Sequence, residues 1–246
     1  MKHSRTFIVT GASSGIGLET TKQLLAQGNV VIGLARNPER AQIDDPHFIP
    51  FEIDLSSLTR LSADLADLAR EHPQVSGLVA CAGQGRFGGI ESFSLEQIRG
   101  LVDLNFTSQA ALVNAFLPSL KKSRAGDIIF IGSEAALSGG KQGAAYSAAK
   151  FALRGFAQSL RQECAKSSIR VTLINPGMVE TPFFDDLSFR PGAGDENHIE
   201  AGDVAKAVLF VLNMRRGTVI DEINLSPLKK VIEKNPKARS AKDAFE

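Results

Sequence analysis

A short apolar run, Phe7-Ile8-Val9, ends in Thr10-Gly11-Ala12-Ser13-Ser14-Gly15-Ile16-Gly17, and a patterned stretch with Leu18, Leu24 and Leu25 among polar residues follows. Strand, glycine turn, helix is the order that presents backbone N–H groups and the positive end of a helix to a phosphate. Glycine lets the backbone approach such a ligand where a Cβ would clash. The spacing here is G-x-x-x-G-x-G, which differs from the G-x-G-x-x-G of the commonest dinucleotide fingerprint. Glycine turns after strands also serve as plain tight connections, so this stretch alone leaves both readings open.

The same alternation continues. Val30 to Leu34, Phe48 to Ile53, Gly77 to Ala80, Asp127 to Ile131, Ile169 to Ile174 and Glu222 to Leu225 read as further strands. Between them lie helical patterns: Leu58, Leu61, Leu65 and Leu68; a long helix from about Leu95 to Ser119; a helix carrying Leu153, Phe156 and Leu160; and one from Ala201 to Met214. Pro50 suggests an irregular or edge position for the third strand. Strand and helix in alternation predict an α/β fold, a doubly wound parallel sheet of seven strands. At 246 residues the chain suits one domain, expected over 1–228, with a lid over the site at 183–200. The tail, 229–246, has Asn235-Pro236 and few apolar residues, and is expected to be loosely ordered.

The chemistry points to Tyr146, the only tyrosine, with Lys150 four positions later. On a helix these share one face. A free tyrosine has a pKa of about 10, and a neighbouring cation favours the phenolate, so the pair suits proton transfer to or from an alcohol or carbonyl. Ser133 follows a strand and lies thirteen residues before Tyr146, at the edge where ligands of open α/β sheets collect. Asn105 sits in a helix among Leu101, Leu104 and Leu112, where a buried polar group needs partners. The window where NAD sites place a carboxylate holds Arg36 instead, which favours NADP over NAD; a solvated loop arginine is the plainer alternative. Asp54, at the end of the third strand, could meet an adenine or cap the helix starting near Ser56. Ala82-Gly83 and Pro176-Gly177 are further turns at strand ends, suited to close approach of a flat ligand.

Twenty-eight basic against 27 acidic side chains give no electrostatic case for a nucleic-acid or membrane partner. No apolar run reaches the roughly 18 residues of a membrane span, and a cytoplasmic location is expected. Cys81 and Cys164 are far apart and the four histidines scattered, so neither disulfides nor a metal are expected. Ala148, Ala152, Gly155 and Ser159 form a small-residue helix face that permits close packing, within the chain or in a homodimer or homotetramer.

In this order and spacing, Thr10 to Gly17, Arg36, Asp54, Asn105, Ser133, Tyr146, Lys150 and Pro176-Gly177 resemble the short-chain dehydrogenase/reductase family. The resemblance covers the chain to about residue 228. It implies a Rossmann fold, a nicotinamide dinucleotide, NADP(H) in the branch with an arginine at Arg36, and hydride transfer to or from a small-molecule carbonyl or alcohol. Tyr146 then looks like the general acid or base and Ser133 like the donor steadying the substrate oxygen. Lys150 would lower the Tyr146 pKa and bind the ribose, while Asn105 would hold a water linking Lys150 to solvent. Gly11, Ser13, Gly15, Ile16 and Gly17 match the dinucleotide turn, Asp54 the residue beside the adenine, and Val179 and Thr181 the positions meeting the carboxamide and nearby phosphate. One turn departs from the family's Asn-Asn-Ala-Gly: it reads Ala80-Cys81-Ala82-Gly83, without both amide side chains. A cofactor-sensing module acting through a protein partner is the alternative, but it would have little use for Ser133, Tyr146 and Lys150 together. For the substrate, Leu137, Phe183, Phe184, Leu187 and Phe189 suggest an apolar pocket, and Lys141 or Arg190 could receive a carboxylate.

Overall fold

The apolar runs pair as the alternation predicts. In chain order the computed structural model, which describes residues 4–236, has strands β1 (Thr6–Thr10), β2 (Val30–Ala35), β3 (Phe48–Glu52), β4 (Val75–Ala80), β5 (Gly126–Ile131) and β6 (Ile169–Pro176). Short strands β7 (Val179–Glu180), β8 (Phe189–Pro191) and β9 (Ile199–Glu200) follow, then β10 (Glu222–Leu225) and β11 (Ile232–Lys234). Helices are α1 (Gly15–Ala26), α2 (Leu58–Glu71), α3 (Leu95–Val102), α4 (Ser108–Ser123), α5 (Ala144–Cys164) and α6 (Ala201–Asn213). Seven strands form one sheet in the order β3-β2-β1-β4-β5-β6-β10, every neighbouring pair parallel. The chain reverses its direction of travel across the sheet between β1 and β4, where open α/β sheets hold their ligands. Pro50 lies in β3, an edge strand, as its missing N–H requires.

Alternation along each strand divides the core in two. Ile8, Leu78, Ile128, Phe130 and Val171 meet leucines of α2, together with residues of α4 and α5, on one face. Phe7, Val9, Val79, Ile129 and Ile174 meet α1 and α6 on the other. Strands covered on both faces read as unbroken apolar runs, which is what the sequence shows.

At the amino edge of the sheet, opposite the crevice, Asp127 is 1% exposed and takes three guanidinium groups: Arg5 at 2.6 Å, Arg170 at 2.6 Å and Arg216 at 3.1 Å. Arg170 also donates to the carbonyls of Leu212 and Met214, closing the carboxyl end of α6, and Arg5 donates to the Ser76 carbonyl on β4. One carboxylate therefore ties four strands to the helix behind them.

Two elements differ from the expectation. The helix expected from Leu95 to Ser119 is three pieces: α3, a π turn at Asp103–Thr107, and α4. Part of the expected loose tail is a strand: β11 pairs antiparallel with β8, and Asn235 N–H donates to Ser188 O at 3.0 Å. Main-chain pairing with β8 holds it where side-chain hydrophobicity gave no signal. Tail residues 237–246 lie outside the described residues.

Replacing Asp127 by alanine leaves three cations facing one another. We expect a loss of about 3–5 kcal/mol of unfolding free energy, measured by urea denaturation; a loss under about 1 kcal/mol would show that the cluster is not the tie described.

Candidate active site

Tyr146 enters the crevice because α5 begins directly below the carboxyl end of β5. It is 6% exposed, and Lys150, one turn on, is 4% exposed. The Lys150 ammonium donates to the Ile131 carbonyl at 3.1 Å and stands 5.8 Å from the Tyr146 ring centre. Asn105 is fully buried; a side chain on Gly83 would lie 2.7 Å from its Oδ1 and 3.6 Å from the Lys150 Nζ, so the amide and the ammonium converge on one point. The π turn accounts for the Asn105 position. Its Nδ2 donates to the Leu101 carbonyl four residues back and to the Gln84 carbonyl, both at 2.9 Å, while Oδ1 accepts no hydrogen bond among the described residues. Such single wide turns recur at functional sites.

Ser133 is placed by a network the sequence reading did not assign. Asn175, fully buried at the end of β6, accepts from the Ser133 N–H at 3.3 Å and donates to Glu222 at 2.7 Å and Asn224 at 3.0 Å on β10. Arg154 from α5 pairs with Glu222 at 3.2 Å and donates to the Ala136 carbonyl, so both ends of the serine turn are held. Gly132 is required here: a Cβ would fall 2.1 Å from the Asn175 Oδ1.

Solvent exclusion dominates the electrostatics. Burial pushes the Tyr146 phenol up to about 12; the Ser133 side chain, its hydrogen-bonding partner, pulls it down, and the Glu134 charge adds to the rise. Burial brings the Lys150 ammonium down to about 8. One-turn spacing predicts the opposite direction for the phenol, and here desolvation outweighs the lowering contribution, which comes from Ser133. The phenol thus keeps its proton across the neutral range. The Cys81 thiol, also raised to about 12 by burial, brings no charge to the lysine.

The turn that lacks amide side chains is rebuilt from outside it. Thr10 Oγ1 accepts from the Cys81 N–H at 3.0 Å and the Ala82 N–H at 2.9 Å, and Gln109 donates to the Ala82 carbonyl at 2.9 Å. Gln109 lies one helical turn beyond Asn105, a spacing that could have revealed it.

On the dinucleotide side, the Ser14 side chain does not cap α1 and its first turn has no acidic residue, so its positive end is open to a phosphate. Gly17 is fixed by close packing, since a Cβ would meet the Gly11 carbonyl oxygen at 2.2 Å. Ser13 and Ile16 are half-buried in the same turn. Thr181 comes within 3.1 Å of where a Gly15 side chain would stand, and Val179 is buried beside it in β7. Gly177 donates its N–H to the Leu225 carbonyl, fixing the Pro176-Gly177 turn. A cavity of about 410 Å³ opens between Gly15, Thr181 and Ala201, and its rim carries Glu19, Glu180, Glu200 and Asp203 with Lys206. Arg36 is exposed at the end of β2 and makes no ion pair among the described residues. Asp54 accepts from the Ser56 N–H and hydroxyl at 2.9 and 2.6 Å; chiefly that hydroxyl, with a smaller contribution from Arg36, holds its carboxyl below the usual range. It thus shapes the turn before α2, whose N-cap is Ser57.

An aromatic cluster lies against Tyr146. The Tyr146 ring centre is 5.3 Å from that of Phe87 and 6.0 Å from that of Phe183, and Phe189 stands 5.0 Å from Phe87. Arg190 faces Glu233 at 3.8 Å, so that candidate for a carboxylate is already opposed by an acid. Among the described residues no cluster could hold a metal, and no helix is long and apolar enough to cross a membrane.

This geometry, a glycine turn and a Tyr-Lys-Asn-Ser group, buried except for the half-buried serine, on one edge of a parallel sheet, agrees with three comparisons. The sequence profile of the short chain dehydrogenases matches residues 5–190. An uncharacterized oxidoreductase of Staphylococcus epidermidis is 30% identical over 226 residues, 90% of this chain and 96% of the relative. A 3-ketodihydrosphingosine reductase of Bacteroides thetaiotaomicron is 28% identical, over 95% of this chain and 86% of the relative. Among solved structures, a metagenomic short-chain oxidoreductase in complex with NADP superposes with a TM-score of 0.77 at 26% identity, covering 91% of this chain and 96% of that one. The chain belongs to the short-chain dehydrogenase/reductase family and is an oxidoreductase of that family with a Rossmann-type fold.

Lysine NMR titration of the cofactor-free protein should show one ammonium with a midpoint near pH 8 that disappears in Lys150→Met; a Lys150 midpoint above pH 10, where exposed lysines titrate, would show that its desolvation is overstated.

Proposed function

We propose that the protein reduces a small-molecule ketone or aldehyde to the alcohol with NADPH, with Tyr146 as the general acid. The observation that carries this reading is a buried, protonated phenol that shares its crevice with the Ser133 hydroxyl, the Lys150 ammonium and the Asn105 amide. When bound, the reduced nicotinamide supplies a hydride to the carbonyl carbon. The Tyr146 O–H gives its proton to the carbonyl oxygen, and the Ser133 hydroxyl donates to the same oxygen as negative charge gathers there. The Lys150 ammonium, close beneath the phenol, favours the phenolate left behind. Asn105 Oδ1 has an acceptor to spare beside Lys150, which suits a water through which the proton is replaced.

The residues fit a dinucleotide. The open end of α1 and the glycine turn would hold the pyrophosphate, Val179 and Thr181 the carboxamide side, and Ala82-Gly83 and Pro176-Gly177 the walls beside the ring. Arg36, exposed and in no ion pair among the described residues, supports the phosphorylated cofactor, as does the NADP complex of a similar oxidoreductase. Ala148, Ala152, Gly155 and Ser159 are all exposed on α5 beside Phe151, which supports assembly as a homodimer or homotetramer through that face. A cytoplasmic location accords with this chemistry.

Purified protein should consume NADPH faster than NADH with a panel of ketones and aldehydes. Tyr146→Phe should lower kcat by about two orders of magnitude or more while the Kd for NADPH, read by fluorescence, stays within about threefold. Full activity in that variant removes the phenol from the mechanism, and an NADH preference removes Arg36 from its role.

A further inference from the structure

Glu134 follows Ser133 directly in the chain, and the mechanism above gives it no task. Its carboxylate is two-thirds buried at the rim of the crevice, where Oε2 would stand 3.4 Å from a side chain on Gly177, against the turn that walls the site. The charge is close enough to the Tyr146 phenol to oppose its ionisation. For a reaction that builds negative charge on the substrate oxygen, a bare carboxylate at this position is a liability. Its one ion-pair partner among the described residues is the ammonium of Lys230, at 2.5 Å, carried on the exposed segment that leads into β11. Lys230 is a primary alkylammonium at the end of a flexible stem, 64% exposed, so releasing it to water costs little. It marks the spot and the geometry in which such a group meets Glu134. Across the site the walls are apolar: Phe87, Phe183 and Phe189.

We propose that the substrate is an amino ketone, its ammonium on the carbon next to the carbonyl taking the place of the Lys230 ammonium on Glu134, and its apolar remainder lying against the aromatic cluster. This rests on the reductase reading above and names the substrate class for the same site. The chemical change is the one already given: the carbonyl π bond opens, carbon gains the hydride as NADPH becomes NADP+, and oxygen gains the Tyr146 proton. The ammonium is not altered. A substrate cation on Glu134 gains an ion pair of its own while keeping that charge offset as the oxyanion develops; a neutral ketone leaves Lys230 in place and gains no such contact, and a keto acid would be repelled.

The test compares 1-amino-2-octanone, 2-octanone and 2-oxooctanoate as substrates of the wild-type protein with NADPH, on the acid side of the amine pKa. We expect kcat/KM for the amino ketone to exceed that for 2-octanone by at least about tenfold, and the keto acid to be poorest. Glu134→Gln should cut that ratio to near one. Calorimetry of 1-amino-2-octanol, the product, should show at least about tenfold weaker binding to Glu134→Gln than to wild type, a readout independent of turnover. Turnover of 2-octanone as good as that of the amino ketone, or an amine preference that survives Glu134→Gln, overturns this inference and leaves the reductase reading standing. No turnover with any of the three or with the wider carbonyl panel overturns that reading, and this inference with it.

Discussion

Taking a phenol and an ammonium out of water in the same crevice is the constraint on which the site depends. Each group is costly to charge where it sits, so the tyrosine holds its proton more tightly and the lysine more loosely than in solvent. Among the described residues no carboxylate is paired with the lysine, and the Ile131 carbonyl is its one acceptor. An arrangement of this kind survives only if its framework is rigid. The parallel register supplies that rigidity, bringing the ends of β1, β4, β5 and β6 to a common edge, while the Asp127 cluster fastens the opposite edge.

Much of this framework could be read from the chain because its signals are local. Strands buried on both faces are continuous apolar runs, and a glycine turn opens a helix within a few residues. Tyr146 and Lys150 lie one turn apart whatever surrounds them. Pro50 points to an irregular or edge strand, and β3 lies at the edge. What could not be read is set by groups far apart in sequence. Nothing about Arg5, Asp127, Arg170 or Arg216 individually announces that they meet. The direction of the phenol's shift was hidden for the same reason: spacing along a helix reports which charges are close, not how much solvent the rest of the fold excludes.

The turn after β4 shows how a missing side chain need not mean a missing interaction. Family members place amides there, and this chain has Ala80 and Cys81. The backbone groups still require partners. Thr10, at the end of the neighbouring strand, and Gln109, on the helix beside it, provide them. Hydrogen-bonding demand belongs to the place in the fold, and different positions of the sequence can meet it.

The pairing of β11 with β8 joins the aromatic cluster to the far end of the chain through main-chain hydrogen bonds, with Lys229 N–H to the Glu196 carbonyl and Asn235 to Ser188 extending the seam. The two segments are therefore fastened to each other along one main-chain seam. The seam runs through Lys229, Lys230 and Lys234, three residues that trypsin-like proteases recognise. Cleavage there would cut the segment paired with β8 while leaving the strands of the seven-stranded sheet uncut.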